Sequence, residues 1–458
     1  MLLDDTSLVS RDGSPVPVMG MKVLTIGDLI AVDGGSIKTG PFGTALKANE
    51  YTREGVPVIS VREIQVGELK VEESTPRVSR EVTDRLPMFL LSAGDIVFAR
   101  KGSVDRSALV RLEQEGWFLG SDAIRLRLPN SVDPRFVAYQ LRSAHLRSWI
   151  VQHSTGSTMA SLNQGTIERV PLVLPPLPQQ QSIAAVLGAL DDKIELNRKT
   201  NRTLKALARA IFQSWFVDFD PVHAHPAGRT PPGIDPAKAT FLSATFQDSP
   251  LGPIPEGWRV DHLGEVTSVL NRGISPSYVE DGGVLVLNQK CVRDGRVDTT
   301  KARRHDPTRR DPSARLLQVG DVLINSTGQG TLGRVAPVTV INEPTTIDSH
   351  VTLVRPDLCN VSAPYLHLLL ERQQPAIEAL GEGSTGQTEL SRRRLGELRI
   401  LVPDISVMAA FDTIVTPILS QQTANEAESL SLAATRDFLL PKLISGEARV
   451  HRHRAAVG

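Results

Sequence analysis

The second half of the chain repeats the first half at an offset of about 228 residues. The matching pairs, in chain order, are 55–61 (GVPVISV) with 283–289 (GVLVLNQ), 94–97 (GDIV) with 320–323 (GDVL), 132–141 (VDPRFVAYQL) with 361–370 (VSAPYLHLLL), 155–158 (TGST) with 385–388 (TGQT), and 162–175 with 390–403. An internal repeat constrains the fold more strongly than any local motif. The chain is therefore predicted to contain two homologous globular domains.

After each domain, apolar residues recur in the alternating steps of three and four that mark a coiled-coil seam. The seam positions are Ile183, Leu187, Leu190, Ile194, Asn197, Leu204, Ile211, Trp215, Phe411, Val415, Ile418, Asn425, Leu432 and Leu439. Asn197 and Asn425 are equivalent, and a buried polar seam residue typically fixes register. The helices are predicted to pair as an antiparallel coiled coil. The alternative is that each helix packs alone on its own domain.

The predicted fold class is α+β, because each half mixes short β-branched runs with one or two helices. The predicted segments are a flexible leader at 1–20, domain 1 at 21–177, a spacer helix at 178–220, a linker at 221–257, domain 2 at 258–404, a second helix at 405–447 and a flexible tail at 448–458. The linker is rich in proline and glycine and is expected to have little secondary structure.

Composition sets broad limits on function. The formal net charge is zero, which does not exclude nucleic-acid binding, because binding depends on local patches. Two cysteines are too few for a disulfide framework or a cysteine-based zinc site, and a reducing compartment is expected. The sequence contains no run of about eighteen apolar residues, so no membrane span is predicted. We therefore expect a cytoplasmic location.

Two pairs of polar loops recur in the domains. One pair follows the Gly-Asp strands, with cations in the first copy and uncharged polar residues in the second. The other pair contains the Thr-Gly motifs, followed by Asn163 and Gln164 in the first copy and by three arginines in the second. Arg and Lys read guanine edges, whereas Asn and Gln read adenine edges. The candidate DNA-binding residues are Arg100, Lys101, Ser103, Arg106, Thr155, Ser157, Thr158, Asn163, Gln164, Asn325, Ser326, Thr327, Gln329, Arg334, Thr385, Gln387, Thr388, Arg392, Arg393 and Arg394.

Catalytic and metal-binding motifs are not found in the sequence. The Thr-Gly loops lack the Gly-Lys-Ser/Thr ending of a phosphate-binding loop. The histidines have no partners at metal-ligand spacing, and no catalytic triad order or HExxH motif appears. No catalytic residue, metal ligand or cofactor site is therefore predicted. For each candidate loop the alternative is an ordinary solvated turn.

Five strings resemble type I restriction–modification specificity subunits. They are PPLPQQQSI at 175–183, LDDKIELN at 190–197, SWFVDFD at 214–220, LGPIPEGW at 251–258 and FLLPKLISGE at 438–447. The first three are similar to the central conserved region of that family, the fourth to the entry of its second target-recognition domain, and the last to the end of its second conserved helix. The resemblance covers about residues 21–450.

The resemblance implies a non-catalytic subunit in which each domain reads half of an asymmetric, interrupted site in double-stranded DNA. It also implies two methyltransferase subunits and two restriction–motor subunits as partners. S-adenosylmethionine and ATP with Mg²⁺ would be held by those partners, and the methylated base would be adenine. The alternatives are a coiled-coil interaction hub without DNA readout, and a DNA methyltransferase or nuclease whose catalytic residues are not recognised.

Overall fold

The computed structural model describes residues 21–43, 45–156, 159–224, 243, 245–382 and 388–450. These residues form two compact units. Unit 1 is drawn from 1–195 and 429–458, and unit 2 from 196–428. Each unit contains one globular domain and one segment of each long helix. Both domains mix helices and strands, so the predicted α+β class is confirmed.

The elements up to the end of the first long helix are β1 Lys22–Thr25, α1 Ile26–Asp33, β2 Ser36–Thr39, β3 Tyr51–Thr52, β4 Val56–Ile59, β5 Arg77–Val78, α2 Arg80–Arg85, β6 Ile96–Ala99, β7 Ser107–Leu109, β8 Phe118–Leu119, β9 Ala123–Arg127, α3 Pro134–Arg142, α4 Ala144–His153, α5 Gln164–Glu168, β10 Pro171–Leu174 and α6 Leu177–Phe216.

The later elements are α7 Asp220–Ala224, β11 Phe246–Gln247, β12 Ile254–Pro255, β13 Arg259–His262, β14 Thr267–Arg272, β15 Tyr278–Val279, β16 Val284–Leu287, β17 Val292–Arg293, β18 Arg296–Val297, β19 Arg303–His305, β20 Val322–Asn325, β21 Val335–Pro337, β22 Thr345–Ile347, β23 Val351–Pro356, α8 Ala363–Arg372, α9 Gln374–Ala379, β24 Gly381–Glu382, β25 Glu389–Leu390, α10 Arg392–Gly396, β26 Arg399–Val402 and α11 Ile405–Ser445.

The repeat in the sequence is a repeat of sheet topology. In unit 1 the antiparallel sheet β2-β9-β6-β7 lies beside the sheet β3-β5-β4-β8, and in unit 2 the same orders recur as β14-β23-β20-β21 and β15-β19-β16-β22. The one parallel pair of each second sheet is also shared, β4 with β8 and β16 with β22. The pairs β1–β10 and β13–β26 are equivalent too. The two domains are thus copies of one fold.

The helices that cover these sheets begin in the same way in both copies. Asp133 caps α3 by accepting a hydrogen bond from the backbone N–H of Phe136, and Ser362 caps α8 by accepting one from Tyr365. A proline occupies the first turn of each helix, where its missing N–H costs nothing. Phe136 and Tyr365 are both completely buried in their domain cores.

The two long helices lie close to their predicted bounds. α6 covers 177–216 rather than 178–220, because Phe219 takes a left-handed conformation with φ of 54° beyond its end. α11 begins at 405 as predicted and ends at 445, before Gly446, whose φ is 78°. Every predicted seam residue is buried or half-buried.

Hydrogen bonds between the helices show that they run antiparallel. In unit 2 the Nδ2 atom of Asn197 donates to the carbonyl of Asn425 at 3.3 Å, and that of Asn201 donates to the carbonyl of Gln422 at 3.0 Å. The partner number falls as the donor number rises. Asn425 in turn donates to Oδ1 of Asn201 at 2.8 Å. Asn197 also donates to Glu428 at 2.8 Å, and this group of polar contacts between the helices favours a single register.

The described part of the predicted linker contains only short elements. α7 lies at its start, and β11 pairs antiparallel with β12. Val222 and Ile254 are buried, and the ring centroids of Phe219 and Phe246 lie 5.9 Å apart. Most of the residues in 245–257 are exposed, and the expectation of little secondary structure stays a prediction for the linker as a whole. Residues 225–242 and 244, the leader at 1–20 and the tail from 451 lie outside the described residues.

A carboxylate with two cations joins the helices to the domain in unit 1. Asp191 of α6 accepts hydrogen bonds at 2.7 Å from Arg142 of α3 and from Arg436 of α11. Burial raises the pKa of Asp191, but the two guanidinium groups outweigh it and hold the pKa below its usual value. The Tyr139 hydroxyl donates to the same carboxylate at 2.8 Å.

In unit 2 a carboxylate with two cations also joins the first long helix to the domain, but here the carboxylate lies on the domain helix and the cations lie on α6. Glu371 of α8 lies 2.8 Å from Nζ of Lys205 and 2.9 Å from Nη2 of Arg209, both on α6. Burial raises the pKa of Glu371, but these cations lower it to about 2. His367 lies one turn before Glu371 on the same helix, and burial lowers its pKa to about 4.

This histidine predicts a pH dependence for unit 2. An unfolded chain binds a proton on His367 below about pH 6.5, whereas the folded chain keeps the ring neutral down to about pH 4. Stability from this group is therefore present above pH 6.5 and is lost as the pH falls towards 4. The variant His367→Leu has a side chain of similar volume that does not titrate. It should reduce the acid-induced loss of unfolding free energy by up to about 2 kcal/mol.

The measurement is the midpoint of urea unfolding at pH 7.5 and at pH 4.5, with the fluorescence of Trp215 and Trp258 as the signal. Trp117 and Trp149 are replaced by phenylalanine, so that only unit 2 reports. His145→Leu, at an exposed position in unit 1, is the matched control. An equal acid loss in wild type and His367→Leu would contradict the assignment.

Candidate nucleic-acid interface

In unit 1 the two predicted loops lie side by side. The loop after β6 meets the Thr-Gly loop through two backbone hydrogen bonds, from Leu162 N–H to the Arg100 carbonyl at 2.7 Å and from Gly102 N–H to the Ala160 carbonyl at 2.8 Å. Thr155 pairs with Ser161 and closes the second loop. Gly156 has φ of 102°, and a Cβ atom there would lie 2.3 Å from a backbone oxygen. Ser157 and Thr158 lie outside the described residues.

Unit 2 forms the same pair of loops. Leu390 N–H donates to the Ser326 carbonyl at 2.8 Å, in the place of the bond from Leu162 to Arg100. Thr327 and Glu389 form an isolated bridge beside it. Thr385 and Gln387 lie outside the described residues, whereas Thr388 is half-buried. Segments about 60 residues apart in sequence therefore make one surface in each domain.

The Gly-Asp motifs fix the start of the strand before each loop. Asp95 accepts two hydrogen bonds of 2.7 Å from the guanidinium of Arg127, and Asp321 accepts two of 2.7 Å from Arg355. Both aspartates are only 1% exposed. Hydrogen bonding to the carboxylate raises the pKa of Arg127 and of Arg355. The same bidentate pair thus braces the base of the loop in both copies, and the sequence repeat indicated only its aspartate.

The first loop of unit 1 is charged and partly exposed. Lys101 Nζ lies 3.0 Å from Oδ1 of Asp122. The Arg100 guanidinium lies over the Phe42 ring, 4.5 Å from its centroid. Arg106 donates to Gln65 at 3.4 Å. Ser103 is half-buried.

The equivalent loop of unit 2 is uncharged where unit 1 carries a cation. The Thr327 hydroxyl lies 2.9 Å from Oε1 of Gln289 and 2.8 Å from Nδ1 of His350. Gln329 is exposed at the tip. Arg334 donates to the Gly330 carbonyl at 2.9 Å and so shapes the turn.

Two candidates in this loop are corrected by their burial. Asn325 and Ser326 are each 0% exposed. Asn325 is the last residue of β20, and its Nδ2 donates to the Gln289 carbonyl at 3.0 Å. The Ser326 hydroxyl shares a hydrogen bond with Thr352 of β23. Their side chains are part of the sheet, so the loop surface begins at Thr327.

The residues after the second loop also differ in role. Asn163 caps α5 by accepting a hydrogen bond of 2.8 Å from Thr166 N–H, and Gln164 donates to Thr39 at 3.0 Å. In unit 2, Arg392 takes the place of Gln164 and donates to Asn271 at 2.7 Å. Arg394 pairs with Glu382 at 2.7 Å.

Arg393 lies almost fully in solvent. Its side chain is 82% exposed and lies 3.6 Å from Glu397. A surface pair of this kind contributes at most about 1 kcal/mol, so the guanidinium is available to a phosphate at little cost.

Two exposed side chains in this region were missed by the sequence analysis. Asp122 and His350 precede equivalent strands, and each follows a serine, Ser121 or Ser349. Extending the repeat alignment through these serines would have brought the two residues to notice. Within the described ranges no group of three or more His, Cys, Asp or Glu side chains could hold a metal ion. Across the described helices, none combines the length and hydropathy needed to cross a membrane.

Comparison with known proteins shows which proteins this chain is similar to. Residues 19–206 match the model of the type I restriction modification DNA specificity domain. The chain is 22% identical, over 93% of both chains, to the type I restriction enzyme MjaIX specificity subunit of Methanocaldococcus jannaschii. It is 23% identical to the HindI specificity subunit of Haemophilus influenzae, over 69% of this chain and 78% of that one.

The fold agrees with these sequence matches. The crystal structure of a type I restriction–modification S subunit from M. genitalium superposes with a TM-score of 0.56 at 17% identity, and covers 94% of this chain and 97% of that one. The predicted resemblance to type I specificity subunits is confirmed. The chain is thus similar over nearly its whole length to DNA-sequence specificity subunits of type I restriction–modification systems, and it shares their fold.

The Asp–Arg brace gives a prediction for this surface. Asp321→Asn should cost about 3 kcal/mol, because it leaves the guanidinium of Arg355, 19% exposed, without its carboxylate. Amide hydrogen exchange should then rise in β20 and in residues 326–334 of the intact chain, while β6 of unit 1 keeps its protection and serves as the internal control. Unchanged exchange in unit 2 would show that the brace does not hold the loop.

Proposed function

We propose that this chain is the non-catalytic specificity subunit of a type I restriction–modification complex, and that it reads an interrupted, asymmetric site in double-stranded DNA. Unit 1 would read one half-site and unit 2 the other. The observation that carries the proposal is one loop surface, built twice on the same backbone with different side chains. The shared loop backbone would present both surfaces to DNA in the same orientation, and the different side chains would select different bases.

We further propose partners of two kinds, two methyltransferase subunits and two restriction–motor subunits. S-adenosylmethionine, ATP and Mg²⁺ would bind to those partners, and adenine would be flipped into the methyltransferase for modification. The support for this is the class of the relatives together with the paired helices, whose outer faces are exposed. Leu196, Leu207, Leu430 and Phe438 are large apolar side chains on these helices that are 46–71% exposed. The complex would act in the cytoplasm, where the DNA is.

The test is a map of adenine methylation in a host genome with and without this gene. Deletion should remove methylation from one interrupted motif with two unlike halves, and the wild-type gene supplied in trans should restore it. The methyltransferase subunit must be shown to be expressed in the deletion strain. A methylome that does not change on deletion would contradict DNA readout and would favour the interaction hub.

A further inference from the structure

The residues Asp122 and His350 occupy one structural position in the two units. Arg100 N–H donates to the Asp122 carbonyl at 2.9 Å, and Ser326 N–H donates to the His350 carbonyl at 2.8 Å. The next residue of each loop, Lys101 or Thr327, then faces this position. The two side chains are in contact in both copies. Lys101 lies 3.0 Å from Asp122 in unit 1, and Thr327 lies 2.8 Å from His350 in unit 2.

The fold does not require the charged pair. The side chains of Lys101 and Asp122 are 48% and 39% exposed. An ion pair in such a position contributes about 0–1 kcal/mol. Unit 2 keeps the same backbone hydrogen bond with a threonine and a histidine in the same place. A position with fixed backbone, exposed side chains and variable chemistry is suited to selecting a ligand rather than to stabilising the domain.

The charged pair lies at the wall of a cleft. This cleft has a volume of about 400 Å³, and Phe42, Tyr51 and Arg100 line it together with the pair. Phe42 is 55% exposed and Tyr51 is 39% exposed. The Arg100 guanidinium covers one face of Phe42. In a duplex, an exposed guanidinium can contact phosphate oxygens, and an exposed aromatic ring can contact the base edges in the groove.

The chemistry of the pair matches one kind of base pair. In the major groove, guanine presents the acceptors N7 and O6, and cytosine presents the N4 amino donor. An ammonium donates and a carboxylate accepts, so adjacent groups of these two kinds match both bases of one G·C pair. Thr327 and His350 do not supply this combination of a cation beside an anion.

We propose that Lys101 and Asp122 together read one G·C base pair in the half-site of unit 1, with Lys101 donating to guanine and Asp122 accepting from cytosine. The pair Thr327–His350, which contains no carboxylate, holds the equivalent place in unit 2 and does not select G·C there. This inference rests on the proposed function and adds one base position and two residues to it.

The test exchanges the pair within the intact chain. The double variant Lys101→Thr with Asp122→His carries the side chains of unit 2 into unit 1. It is expressed with its partners in the deletion strain, and the methylation motif is mapped. One G·C position in one half-site should lose its preference by at least about fivefold, while the other half-site and the spacer stay the same.

A matched control uses another exposed ion pair of unit 1. Lys70 and Glu72 lie 2.9 Å apart with exposures of 60% and 54%. The double variant Lys70→Thr with Glu72→His should leave the motif as in wild type. A single Asp122→Asn variant keeps the size of the side chain and should weaken the choice at the same position.

The outcomes separate the inference from the proposed function. If the exchange leaves both half-sites unchanged, the inference is wrong while the specificity role stands. If the exchange abolishes methylation, the Asp122→Asn variant decides, since a relaxed G·C position supports the inference and an unchanged motif overturns it. If the wild-type gene itself restores no motif, the proposed function has failed.

Discussion

The structure depends on the burial of one helix seam inside two separate cores. In unit 2, Phe212, Trp215 and Phe216 of α6 and Phe411 of α11 belong to the same buried cluster as the domain residue Tyr365. The centroid of Phe216 lies 4.8 Å from those of both Phe411 and Tyr365. Each buried aromatic side chain contributes about 1.5–3 kcal/mol. The helices are therefore part of the domain core, and the domain cannot form fully without them.

Unit 1 follows the same rule with smaller residues. Ile183 and Leu187 of α6 and Leu440 and Leu443 of α11 lie in one cluster with the interior of the first domain. Segments of α6 and α11 that are far apart in sequence thus complete each unit. Ion pairs at Asp191 in unit 1 and at Glu371 in unit 2 then link the long helices to their domain beside this apolar core.

The sequence predicts those features that have a period or a repeat. The seams of α6 and α11 are visible because their spacing is regular, and the paired loops because each occurs twice. The residues that the sequence missed depend on distant pairing. Arg127 is 32 residues from Asp95, and nothing in the local pattern connects them. The burial of Asn325 was also missed, because a polar residue at the end of a strand reads as a loop until its partner Gln289 is known.

The same division explains how two domains with one backbone can have two specificities. The brace of Asp95 with Arg127 and that of Asp321 with Arg355 have the same bidentate geometry, and the aspartate of each is buried. Removing either buried carboxylate would leave its guanidinium without a partner, so these pairs are costly to change. The exposed residues that they position contribute little to stability and can change freely. A new DNA preference can therefore arise at the loop surface without a new fold, because the atoms that fix the backbone are not the atoms that meet the ligand.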